Sequence, residues 1–119
     1  MEWTDYDDFE RKWGSGNNTD AYSKRYSVWY AYDGIGYLLS QSLIDLDMAY
    51  HLNGTAALVQ WEKYGKIILH QREAFNIPEL AVWFEYLVDE IKKKRVSLGF
   101  TGDVPEDFGR LFVDRSTQE

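Results

Sequence analysis

Tryptophans and tyrosines recur at helical spacing along this chain, and that pattern limits the fold more than any other feature. Tyr22, Tyr26, Trp29 and Tyr30 form one stretch, Trp61 and Tyr64 a second, and Trp83, Phe84 and Tyr86 a third. Each stretch has a charged residue inside or beside its aromatic face: Asp33, Arg72 and Glu85. Aromatic rings bury large areas, and the polar tips of tyrosine and tryptophan need partners when buried. The expected product is an all-α bundle with a polar network threaded through its core.

Breakers and caps divide the chain into a short N-terminal helix and four main ones. Trp3, Tyr6, Phe9 and Trp13 make one stripe on a helix over 3–13, which Gly14–Asn18 ends. Thr19 or Asp20 caps a second helix that runs to about Ser40. One of its faces carries Tyr22, Tyr26, Trp29, Asp33 and Tyr37, the other Val28, Tyr32, Ile35 and Leu39. A helix apolar on two faces is central in its bundle. Gly34 and Gly36 inside it each cost about 1 kcal/mol relative to alanine, which close approach of a neighbouring helix would offset.

Ser42 and Asp45 form a capping box for a short third helix, with Ile44, Met48, His51 and Leu52 as its buried stripe. Asn53-Gly54 is expected to end that helix. Thr55 begins a fourth, to about Phe75, with Leu58, Trp61, Gly65, Ile68, Leu69 and Arg72 on its inner line. Pro78 belongs to the first turn of a fifth, whose stripe is Leu80, Phe84, Leu87, Val88 and Ile91. Lys92–Arg95 close it, where cations complement the negative end of the helix dipole. Residues 1–96 therefore read as one bundle domain and 97–119 as an irregular tail. In the tail, Asp103 and Glu106 fit a capping box. Val104, Phe108, Leu111 and Phe112 would then share a face that docks on the bundle or on a partner.

Composition narrows the function classes. The 119 residues carry 13 basic and 20 acidic side chains, a net charge of −7, and no cysteine. A field of that sign disfavours nucleic acid and anionic lipid. Without cysteine there are no disulfides, no thiolate metal sites and no cysteine nucleophile. The acidic N-terminus has no secretory pattern, and no apolar run approaches a membrane span, so a soluble, cytoplasmic protein is expected.

Catalytic motifs are not found. A di-iron bundle needs Glu-x-x-His on two helices, whereas here His70 and Glu73 stand once, in reverse order. Asp47 and His51 share a helix face but lack further ligands with fixed spacing for zinc. No Gly-x-Ser-x-Gly elbow is present, and Gly14-Ser15-Gly16 and Gly34-Ile35-Gly36 lack the third glycine of a dinucleotide loop. No metal and no cofactor is expected.

What remains is the inner polar set, Asp33, Arg72 and Glu85, among Tyr30, Trp61 and Trp83. Buried charges must be paired, so Arg72 is expected to face Asp33 or Glu85. Such a network fixes the register of the bundle. The same residues would also suit a pocket for a small polar or aromatic ligand, with arginine as an anion anchor.

Asp33-Gly34-Ile35-Gly36, Leu38-Leu39, Leu43-Ile44-Asp45, Trp61-Glu62-Lys63-Tyr64, Arg72 and Phe84-Glu85-Tyr86-Leu87 are similar to the core pattern of an uncharacterised prokaryotic helical domain family. The resemblance covers about residues 20–90. It implies a helical fold and no particular activity. Members of that family often carry a membrane span before the soluble part, which this sequence does not show.

The expected function is a non-enzymatic interaction or regulatory module that binds another protein or itself. Five tryptophans, nine tyrosines and six phenylalanines exceed what one small core needs, and aromatics left outside mark an interface. The alternative is a small-molecule binder or enzyme using a pocket around Tyr30, Asp33, Trp61, Arg72 and Glu85.

Overall fold

The computed structural model describes residues 2–14 and 16–102. It is all-α, with the helices α1 (Tyr6–Trp13), α2 (Thr19–Ser40), α3 (Leu46–Ala74) and α4 (Val82–Ser97). The expected third and fourth helices are thus one. Gly54 is buried within α3 and lies against the Tyr50 ring, where a Cβ would come within 3.1 Å of the ring carbon Cδ2. Its missing side chain serves packing here, and Ala49, Ala57 and Leu58 carry the buried face straight through it. The tail face Val104, Phe108, Leu111 and Phe112 lies outside the described residues.

Helix ends follow local chemistry. Asp5, Asn18 and Asp45 each accept a backbone N–H three residues on, so α1, α2 and α3 begin on side-chain caps. The cap of α2 is therefore Asn18, just before the expected Thr19 or Asp20. Ser42 does not open α3. It has φ +60°, and with Leu43 donating to Leu38 O and Ser42 to Leu39 O it closes α2 in a Schellman turn. Asn76 and Gly99 end α3 and α4 by the same pattern, with φ +53° and +89°. Pro78 lies in the turn after α3, four residues ahead of α4, and not in its first turn.

The three long helices run up, down and up. Asp33 and Gly36 of α2 meet residues 83–84 and 83–87 of α4, so these two helices are parallel. The Tyr26–Gln71 hydrogen bond and the Lys94–Asp47 ion pair set α3 antiparallel to both. α2 and α4 share the most extensive contact. α1 packs on the start of α2, and the N-terminal segment reaches α3: Trp3 stacks on Tyr64, Tyr6 stacks on His70, and Phe9 is wholly buried beneath Arg25.

Leu80, Phe84, Leu87, Val88 and Ile91 are all buried, as their spacing predicts. The inner line of α3 holds for Leu58, Gly65 and Ile68, but Leu69 is exposed and Gln71 is buried instead. Met48, His51 and Leu52 also point outward. The start of α3 buries Ala49 against the bundle, which turns the larger side chains on either side of it to solvent.

Candidate functional site

The inner polar residues do not form one network. Asp33 is half-buried on α2 and meets the start of α4, where its Oδ1 accepts the backbone N–H groups of Trp83 (2.8 Å) and Phe84 (3.0 Å). Those are the donors a helix's own N-cap would satisfy. The N-cap of α4 is Ala81, which has no side-chain acceptor and adopts the left-handed conformation. A carboxylate from another helix therefore caps α4, and its charge meets the positive end of that helix dipole. Asp33→Ala is expected to destabilise the fold by about 2 kcal/mol, and Asp33→Asn by less, because the amide oxygen remains an acceptor. Denaturant unfolding of the two variants tests this ordering.

Arg72 pairs with Glu85, not with Asp33. Its Nη1 donates to Glu85 Oε1 at 3.0 Å and its Nε to the Leu80 carbonyl at 2.7 Å, so it ties the end of α3 to both sides of the turn that leads into α4. The Glu85 side chain is 38% exposed and can be solvated when alone. The cost of losing Arg72 thus falls on the Leu80 carbonyl, and Arg72→Ala should cost about 2 kcal/mol in a denaturant melt. Glu85→Ala should cost less than half of that.

The aromatic members are divided between core and surface. Trp61 is half-buried edge-on to Phe84, and Trp83 stands edge-on to Tyr37 and Tyr86. Tyr30 is 65% exposed. Around Asp33, between Trp29, Tyr30 and Ala81, the free space is only about 10 Å³. At this position the helices leave no room for a ligand beside Asp33.

An open cleft lies one to two turns earlier on α2. It encloses about 330 Å³ between α1, the first half of α2, the end of α3 and the loop that follows. Tyr30 is the only residue of the expected site that lines it; Glu10, Arg25, Tyr26, Gln71 and Phe75 are among the others. Arg25 is 4% exposed, with Phe9, Tyr22, Tyr26 and Trp29 around its guanidinium carbon at 4.7–5.8 Å. Burial pulls the Arg25 pKa down, and it pushes the Tyr26 phenol up to about 12. Tyr26 Oη donates to Gln71 Oε1 at 3.0 Å, which fixes the back of the cleft.

Sequence reasoning passed over Arg25, although a signal was present. Arg25 stands three residues after Tyr22 and four before Trp29, on their face of the helix. Among the described residues no group of three or more His, Asp or Glu could hold a metal ion, and no helix is long and apolar enough to cross a membrane. No family model, no curated protein and no solved structure matches this chain.

Proposed function

We propose that this chain is a non-enzymatic interaction module that self-associates through the apolar end of its bundle. The observation that carries this reading is a set of exposed large apolar side chains at one end. The up-down-up order brings the end of α2, the start of α3 and the end of α4 together there, and Lys94–Asp47 bridges the last two at 2.5 Å. Leu43 (69% exposed) and Leu52 (73%) stand there with Met48, Val96, Leu98 and Phe100. Single exposed leucines are ordinary, whereas a set of six at one end is the composition of an interface core.

The occupant we assign is a second copy. Asp45 and Asp47 lie at this end beside the basic run Lys92–Arg95. Acid and base on one patch let two copies face each other about a two-fold axis with opposite charges opposed. Leu52→Glu places a carboxylate in that contact. It should delay elution of the protein on gel filtration while leaving its melting temperature nearly unchanged, because Leu52 contributes little to the monomer's core. An unchanged elution volume would count against the assignment.

A further inference from the structure

Arg25 is a buried cation in direct ion pair with no carboxylate among the described residues. Its one hydrogen bond to a described residue runs from Nη1 to the Trp13 carbonyl at 3.0 Å, and its Nε is buried with no acceptor. The four rings around it offset part of the desolvation, since each ring face carries negative potential. A guanidinium nonetheless has five donors in a fork that matches a carboxylate. Among the described residues only its Nη1 meets an acceptor.

Glu10 lines the same cleft and is likewise in no ion pair among the described residues; its Oε2 accepts from Tyr6 Oη at 3.2 Å. Two opposite charges thus face one opening without closing on each other. Beside them, Phe75 and Ile77 leave 51% and 38% of their surfaces exposed, and Leu80 completes an apolar wall. A simple anion would be attracted by Arg25 and repelled by Glu10, and a simple cation the reverse. A molecule that carries both charges on neighbouring atoms, with an apolar body, meets all three surfaces. The volume stands at the low end of the range for small-molecule clefts, about 300–1,000 Å³, which suits a single residue-sized ligand.

We propose that this cleft binds a free α-amino acid with an aromatic or large aliphatic side chain. Its carboxylate takes the open donors of Arg25, its ammonium faces Glu10, and its side chain lies against Phe75, Ile77 and Leu80. The site is at the opposite end of the bundle from the self-association surface and does not depend on it.

Calorimetric titration of the full chain tests this with four probes: phenylalanine, leucine, phenylpropionate and phenethylamine. Phenylalanine and leucine should bind, while phenylpropionate and phenethylamine, each lacking one of the two charges, should bind at least about tenfold more weakly. Arg25→Met should abolish phenylalanine binding while keeping the helical circular dichroism spectrum. Should that variant fail to fold, Glu10→Gln decides: it should weaken phenylalanine about tenfold and leave phenylpropionate no weaker. The proposal is overturned if neither amino acid gives a binding heat, if phenylpropionate binds as tightly as phenylalanine, or if Glu10→Gln leaves phenylalanine binding unchanged.

Discussion

Gly36→Ala is expected to destabilise the protein by about 3 kcal/mol, at the upper end for a single added methyl group. A Cβ at this position would lie 1.9 Å from the carbonyl oxygen of Trp83 and 2.6 Å from its carbonyl carbon. Both are backbone atoms at the start of α4, so no rotamer change relieves the clash. The helices must separate, and the same movement draws Asp33 away from the N–H groups of Trp83 and Phe84 that it caps. One methyl group would therefore disturb packing and capping together. Gly34, two residues earlier on the same helix, is the internal control. Nothing lies within 4 Å of its would-be Cβ. Gly34→Ala should raise stability by up to about 1 kcal/mol through helix propensity alone. Denaturant melts of the two variants should move the midpoint in opposite directions.

Phe84→Ala should cost about 4 kcal/mol, in the usual range for deleting a buried phenyl ring. Phe84 is fully buried where the three long helices converge. Tyr32 of α2 stacks on it at 5.2 Å between ring centroids, and Trp61 of α3 meets it edge-on at 5.1 Å. Large rigid rings on all sides collapse poorly into a void, which keeps the cost high. Tyr30→Ala, which removes an exposed ring of similar size, should change stability by no more than about 0.5 kcal/mol. A comparable cost at both positions would contradict the placement of the core.

Periodicity was a good guide wherever a helix buries a single large stripe. The line from Phe84 to Ile91 on α4 was legible for that reason, as was Phe9 on α1. It failed where glycine and small residues decide the packing. Asn53-Gly54 has the composition of a helix stop, yet α3 passes through it, because a buried glycine beside Tyr50 fits the bundle better than a turn. The two glycines of α2 look alike in sequence, and only the arrival of α4 separates them. Asp33 is the instructive member of the candidate site. Its inward position was readable from its spacing with Trp29, but its partners are backbone groups fifty residues away, which side-chain pairing rules do not anticipate. The start of α4 was expected at Pro78, so the uncapped position at Ala81, which needs an acceptor from elsewhere, was not legible. Arg25 was hidden by its type, since an arginine among tyrosines reads as a solvated charge until the rings are seen to close around it.

The exposed end and the cleft divide the functional question between two places. Met48 and Leu52 stand outside because α3 turns its small residues inward there, which converts part of an expected core stripe into surface, and Leu43 is exposed in the turn before α3. That surface carries the proposal of self-association, and the most direct test is the solution mass of the unmodified chain. Light scattering coupled to gel filtration, run over a range of concentrations, should give a mass rising toward that of two chains as concentration increases. A mass of one chain at every concentration would contradict it.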